Sequence, residues 1–255
     1  ENQIKEVFGR VVEAAFPSSE KAMEILKSGR RLSFYLGIDP TGPDIHLGHI
    51  TNFFVLKKLI KLGHRVILLI GDFTARIGDP TGKDTARQPL SKEQIKQNMR
   101  TYLEQVYKIL PKREVEIKYN SKWVEKMNLE KLMEAGGYFT IQQMIARDMF
   151  QRRLQEQKPI SWNEFLYPLL QGYDSVAMEV DGEIGGNDQT FNMLVGRDLV
   201  KKMLGKEKIV ISTKLLEDKE TGKKLMSKSE GRYVSLNDSP QDMFGKIMAL
   251  PDFAI

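Results

Sequence analysis

Cysteine is missing altogether from this chain of 255 residues. That absence excludes disulfides, thiolate-bound metals and a cysteine nucleophile, and it fits a cytosolic, cytoplasmic address. Histidine is scarce, with three in all, and tryptophan occurs only twice. The longest apolar run, Val66 to Gly71, is far too short to cross a bilayer and suits a buried strand. The opening residues Glu1-Asn-Gln-Ile-Lys lack the apolar centre of a signal peptide. No repeat of useful length is found. Asp-Pro-Thr-Gly occurs at Asp39 and again at Asp79, but four residues amount to a shared turn preference and no more.

What is present is an ordinary globular composition, 41% hydrophobic and 29% charged. The length allows one large α/β domain or a domain with an appendage. A net charge of +5 and a pI near 9.1 permit a polyanionic partner without demanding one. The chain has no initiator Met and stops soon after a helix expected to begin near Ser239, which reads as a fragment of a longer protein. The expected division is a nucleotide-binding domain over 1–236 and the start of a truncated helical region over 237–255.

Periodicity predicts helices over Ile4–Phe16, Lys21–Leu26 and Ile45–Leu62, a Ser91-capped helix to about Ile109, and a helix over Asp188–Leu204. Strands are expected at Arg31–Ile38, Arg65–Ile70, Glu114–Tyr119, Val180–Ile184 and Ile209–Leu216. Alternating strands and helices read as an α/β fold, a Rossmann-type doubly wound parallel sheet with right-handed crossovers. A mostly helical stretch, about 121–162, looks inserted between its halves.

In such a sheet, ligands bind beyond the carboxyl ends of the strands, where a loop feeds a helix N-terminus. His46-Leu-Gly-His49 falls at such a point, after the strand and the breaker Asp39-Pro-Thr-Gly-Pro. Helix N–H groups and dipole suit phosphates there, the imidazoles can donate to them, and Gly48 allows close approach. The alternatives are two solvated histidines or metal ligation, and a metal would want a third ligand. The remaining histidine, His64, reads as a turn residue. Gly78-Asp-Pro-Thr-Gly82-Lys83 looks like a phosphate-binding Walker loop but has too few residues between its glycines and lacks the following Ser or Thr. Lys83 and Arg87 could still clamp a polyphosphate, or simply be solvated surface. Lys223-Lys-Leu-Met-Ser-Lys228-Ser229, between Gly222 and Gly231, suits a mobile lid over about 217–231 that closes on pyrophosphate, or else a basic surface loop. Tyr167, Gln171 and Asp174 share one stripe of a strongly apolar helix, as in a pocket for a small zwitterion; partners within the protein would also satisfy them. Asp188, after paired glycines, suits ribose hydroxyls or a plain N-cap.

Taken together, Tyr35-Leu-Gly-Ile-Asp39-Pro-Thr41, His46-Leu-Gly-His49, Gly78-Asp79-Pro, Tyr167-Pro-Leu-Leu-Gln171-Gly-Tyr-Asp174, Gly185-Gly-Asn-Asp188-Gln189 and Leu225-Met-Ser-Lys-Ser229 closely resemble the bacterial-type tyrosyl-tRNA synthetases, of class I. The resemblance spans essentially the whole chain. It implies a Rossmann-type catalytic domain, a connective insertion forming a homodimer interface, and the substrates L-tyrosine, ATP with Mg²⁺, and tRNA(Tyr). No tightly bound, protein-ligated metal and no membrane association are implied. Tyr35 and Asp174 would hydrogen-bond the phenol hydroxyl. Asp79, Tyr167 and Gln171 would hold the ammonium, with Thr74, Asn120 and Gln189 lining the pocket. Gly37, Asp39, Gly186 and Asp188 would meet the adenosine, and Gly48, Met226 and Ser227 other parts of ATP. Thr41, His46 and His49 would act on the phosphates, helped by Lys83, Arg87 and Lys228.

The chain departs from the family pattern at Leu47, a harmless exchange, and at Leu225, which replaces the usual first lysine of the late loop, so that one pyrophosphate contact is either missing or supplied by Lys223 or Lys224. The family's anticodon-binding helical region and small C-terminal RNA-binding domain are absent from the sequence, which stops at Ile255. The reaction implied is attack of the tyrosine carboxylate on the α-phosphorus of ATP. A carboxylate is already ionised at neutral pH, so no general base is needed, in keeping with the lack of a triad or carboxylate dyad. Rival readings are a small adenylyltransferase, faintly echoed by Ile211-Ser-Thr-Lys214, a tryptophanyl-tRNA synthetase, and a non-enzymatic RNA- or protein-binding module.

Overall fold

The computed structural model describes residues 2–82, 89–217, 225–226 and 233–250. Six strands form one sheet: β1 (Val12–Phe16), β2 (Ser33–Ile38), β3 (Arg65–Ile70), β4 (Val115–Tyr119), β5 (Gly182–Gly186) and β6 (Ile209–Thr213). Their order is β1-β6-β5-β2-β3-β4, parallel throughout except for the antiparallel edge strand β1. From β2 the chain moves outward through β3 to β4, then returns to build β5 and β6 on the other side of β2. The order therefore reverses between β2 and β5, and a crevice opens beyond their carboxyl ends.

The sheet interior follows from the sequence. Val66 to Ile70 are all buried, so β3 is apolar on both faces, as a central parallel strand must be. Helix Leu47–Lys61 covers one face through Phe53, Val55, Leu56 and Leu59. On the other face, helices Trp162–Ala177 and Thr190–Leu204 pack together through Leu169, Val176, Val195 and Leu199. Between β4 and β5 the chain is helical with no strand, as the sequence predicts, in short helices at Ser121–Val124, Leu129–Gly136, Ile141–Ile145 and Asp148–Gln155.

Two expected helices differ. Ile4–Phe16 was predicted as one helix, but a helix covers only Asn2–Val7 and the rest turns to become β1. Gly9 lies at the turn and Val11 and Val12 are β-branched; pairing with the open edge of β6 outweighs a weak local preference. The helix from Ser91 breaks into Lys92–Asn98, a 3₁₀ turn at Met99–Thr101, and Tyr102–Tyr107. Its polar side chains hold the loop after β2. Asn98 Nδ2 donates to Pro40 O at 2.8 Å, Gln105 Nε2 to Pro43 O at 2.9 Å, and Gln105 Oε1 accepts from Ile45 N–H at 2.7 Å. That loop leads directly into His46.

Candidate active site

A cavity of about 330 Å³ occupies the crevice between β2 and β5. Its floor is polar and fully buried. Tyr35, on β2, is 0% exposed, and its hydroxyl shares a 2.9 Å hydrogen bond with Ser175 Oγ. Burial, reinforced by the Glu183 and Asp174 carboxylates, pushes the phenol far above its ordinary range, so the proton stays on. Asp174 accepts from Trp123 Nε1 at 2.7 Å and from Asn120 Nδ2 at 3.3 Å. Burial still raises its carboxyl well above the usual range, against the pull of those donors.

Above this floor lies a ring of acids. Asp39, at the end of β2, accepts from Thr74 Oγ1 at 2.7 Å and Tyr167 OH at 3.0 Å. Gly71 permits that approach: a Cβ there would sit 1.9 Å from Asp39 Oδ1 and 2.4 Å from Thr74 Oγ1. Asp79 accepts from Gln189 Nε2 at 2.7 Å and Thr81 Oγ1 at 2.6 Å, and Arg147 donates to Thr81 Oγ1 at 2.6 Å. Gln171 Nε2 donates to Glu183 Oε1 at 3.1 Å.

The mouth is the start of helix Leu47–Lys61. His46 is its N-cap: Nδ1 accepts from Gly48 N–H at 3.2 Å. In the neutral ring this places the proton on Nε2, making that atom a donor. His49 Nδ1 lies 3.3 Å from His46 N–H, and the two ring centroids are 4.0 Å apart. The late segment closes against the same turn. Val234 O accepts from Leu47 N–H at 3.1 Å, Leu236 N–H donates to Ile45 O at 2.8 Å, and Val234 N–H donates to Met226 Sδ at 3.4 Å. Met226 thus reaches the cavity wall.

A family model described as tRNA synthetases class I (W and Y) matches residues 27–255. The chain belongs to that family. It is 48% identical to a tyrosine–tRNA ligase 2 from Vibrio parahaemolyticus over 95% of its own length and 61% of that protein's. With a tyrosine–tRNA ligase from Carboxydothermus hydrogenoformans the identity is 47%, over 92% and 57% of the two chains. The chain therefore spans about three fifths of the curated relatives it matches. Among solved structures, a C-terminally truncated mitochondrial tyrosyl-tRNA synthetase from Coccidioides posadasii superposes with a TM-score of 0.71 at 25% identity, covering 88% of this chain and 68% of that one. A tyrosyl-tRNA synthetase from Archaeoglobus fulgidus, complexed with L-tyrosine, has the same fold, with a TM-score of 0.77 at 20% identity over 98% and 74% of the two chains.

In this class I chain, the cavity wall gathers Tyr35, Gly37, Asp39, Thr41, His46, Gly48, His49, Thr74, Asp79, Tyr167, Gln171, Asp174, Gly186, Asp188, Gln189 and Met226. Lys83, Arg87, Ser227 and Lys228 lie outside the described residues. Asn120 is corrected: it is 0% exposed and does not line the cavity. It stands behind the wall, donating to Asp174 and Thr74 and accepting from Phe73 N–H, and so orients residues that do. Gly48 lines the cavity and has a second role. A Cβ there would meet the His46 ring at 3.0 Å, so the glycine makes room for the capping imidazole. Asp188 precedes the helix cap, which is Gln189, and the plain N-cap alternative falls. His64 is a turn residue as expected, its Nδ1 accepting from Leu32 N–H at 3.3 Å.

Sequence reasoning missed Trp123, Ser175, Glu183, Arg147 and Lys208. Lys208 is 0% exposed, and its ammonium donates to Glu183, to Ser175 Oγ at 2.7 Å and to Met193 O at 3.3 Å. Burial lowers its pKa, opposed by Glu183. The available signal was a charged residue, Glu183, alternating into an otherwise buried strand. Among the described residues, no group of three or more His, Asp or Glu is arranged to hold a metal ion.

Proposed function

We propose that this chain is the catalytic part of a tyrosine–tRNA ligase, activating L-tyrosine with ATP to tyrosyl-adenylate and pyrophosphate. In the complete protein the tyrosyl group then passes to tRNA(Tyr). The observation that carries the reading is the presence of Tyr35 and Asp174 together at the floor of a cavity whose mouth is a histidine-capped helix start. A phenol fits the floor, where Asp174 accepts and the Tyr35 hydroxyl both donates and accepts. An ammonium fits the wall above it, where the Asp79 carboxylate, the Tyr167 hydroxyl and the Gln171 amide line the cavity. Phosphates fit the mouth, where the positive end of the helix dipole and the His46 and His49 imidazoles meet developing charge. The ionised tyrosine carboxylate attacks the α-phosphorus, the bond to pyrophosphate breaks, and no protein base takes part. Mg²⁺ would travel on the ATP phosphates.

The order of the motifs, the matching relatives and their shared name support tyrosine over tryptophan. The exposed apolar side chains Leu129, Met133 and Ile141 support a homodimer formed through the helical stretch 121–162, and a sizing measurement tests it. Among the described residues no helix is long and apolar enough to cross a bilayer. ATP–pyrophosphate exchange run with tyrosine, with tryptophan and with no amino acid tests the activity. Exchange dependent on tyrosine alone is expected. Exchange driven by tryptophan, or without an amino acid, would replace the reading with a tryptophanyl enzyme or an adenylyltransferase.

A further inference from the structure

Glu183 and Lys208 form a buried ion pair under the cavity, on neighbouring strands β5 and the entry to β6. Side-chain exposures are 2% and 0%, so neither charge is solvated. The three ammonium protons of Lys208 have three acceptors, Glu183, Ser175 Oγ and Met193 O. Glu183 has one oxygen left, Oε1, and it faces Gln171 at 3.1 Å. A carboxylate only accepts hydrogen bonds, so the end of the Gln171 amide facing it must be the NH₂. The carbonyl Oε1 of Gln171 is thereby turned away from Glu183. That oxygen is buried and has no hydrogen-bond partner within the protein, although Gln171 lines the cavity. A buried carbonyl held in this way calls for a donor, which a ligand can supply.

We propose that the Glu183–Lys208 pair is a positioning device that fixes which end of the Gln171 amide meets the ligand, making this wall of the cavity selective for a cationic amino group. The inference rests on the tyrosine-activating reading and deepens it. Glu183 lines the cavity, but its two carboxylate oxygens are taken by Lys208 and Gln171, so it acts on the ligand through Gln171. Lys208 holds the Glu183 carboxylate with one proton and ties it to the floor through Ser175, whose oxygen in turn pairs with the Tyr35 hydroxyl. The ammonium and phenol ends of the cavity therefore share one buried support.

The test is binding of L-tyrosine and of its desamino analogue, hydroxyphenylpropionate, measured by calorimetry. In Glu183→Gln, Lys208 claims the new amide oxygen, and the new NH₂ turns toward Gln171. Gln171 must then flip and present its own NH₂ to the ligand. Tyrosine affinity is expected to fall on the order of 10- to 100-fold, the worth of one hydrogen bond to a charged group, while the analogue changes less than about twofold. Should Glu183→Gln fail to fold, Glu183→Leu with Lys208→Met removes both charges at little cost to stability and leaves the amide unpositioned. There the same ratio is expected to fall several-fold. A tyrosine-to-analogue ratio unchanged in the folded variant overturns the proposal, as does equal weakening of both ligands. A wild-type chain that binds neither ligand overturns the functional reading and this proposal with it.

Discussion

Arg153 is the most telling residue to perturb outside the cavity. Its side chain is 0% exposed, and its guanidinium donates to Glu164 Oε2 at 2.6 Å, to Glu164 Oε1 at 2.8 Å, and to Pro159 O. Glu164 also accepts from Ser161 N–H at 2.8 Å, closing the capping box of the helix that carries Tyr167, Gln171 and Asp174. Arg153→Met nearly conserves volume, so the cavity term is small. What is left is a buried carboxylate with one backbone donor, a situation that costs about 3–5 kcal/mol. For a domain of this size that corresponds to a fall in Tm of roughly 6–20 °C. Glu164→Leu should cost a similar amount by stranding the guanidinium. The double variant Arg153→Met, Glu164→Leu strands no charge; it loses half of a capping box and the partner of Pro159 O, about 1–2 kcal/mol together. Urea unfolding of all four proteins reads these energies directly. The expected coupling is several kcal/mol, with the double variant more stable than either single one. A double variant as destabilised as the sum of the singles would refute the buried-charge account.

Three further outcomes follow from the same contacts. His49→Ala should slow adenylate formation by about 10- to 1,000-fold, the range for losing one donor to developing charge, with tyrosine binding nearly unchanged. Normal activation with lost tyrosine affinity would contradict it. Asp174→Asn places an amide against two donors, Trp123 Nε1–H and Asn120 Nδ2–H, and removes the carboxyl acceptor for the phenol. Tyrosine use in pyrophosphate exchange should drop roughly 10- to 100-fold while phenylalanine use stays level, and an unchanged ratio would remove Asp174 from phenol recognition. His64 is held neutral, chiefly by burial, with its pKa below the ordinary value and Asp181 pulling the other way. Its contribution to stability is therefore complete above the unfolded value of about 6.5 and is lost as pH falls through the lower folded value. His64→Gln keeps an acceptor for Leu32 N–H without a titrating ring, so the wild-type Tm should drop relative to the variant on acidification below about pH 6.5. Parallel profiles would sink that assignment.

Much of the site is legible because its residues are local punctuation. A six-residue apolar run has one sensible home, and β3 occupies the expected Arg65–Ile70. A histidine pair after a strand and a breaker can hardly avoid a helix start. The stripe Tyr167, Gln171, Asp174 needs only helical periodicity to converge. What the sequence conceals is contact between distant segments. Nothing near Val12 announces that it will pair with Thr213, and nothing near Gln105 says that its amide will hold Ile45. Asn120 looks like a pocket residue until Trp123, Thr74 and Asp174 are seen around it. Lys208, in Gly205-Lys-Glu-Lys208, reads as surface; only the β5–β6 pairing turns it inward to Glu183.

On the proposed reading, the placement of charge orients both substrates before any chemistry. The floor and ring hold Asp174, Glu183, Asp39 and Asp79; against them stand Lys208, a buried cation paired with Glu183, and Arg147, which donates to Thr81 and whose charge Asp79 favours. Such an interior repels triphosphate and attracts an ammonium. The mouth reverses the sign, with a fifteen-residue helix presenting its N-terminus and two imidazoles. A zwitterion therefore enters amino end first, leaving its carboxylate directed outward to the point where phosphate is held. Bringing nucleophile and α-phosphorus together in this way supplies rate by positioning rather than by acid–base chemistry. That is why the chain can dispense with a catalytic base while investing buried charge in the wall behind Gln171.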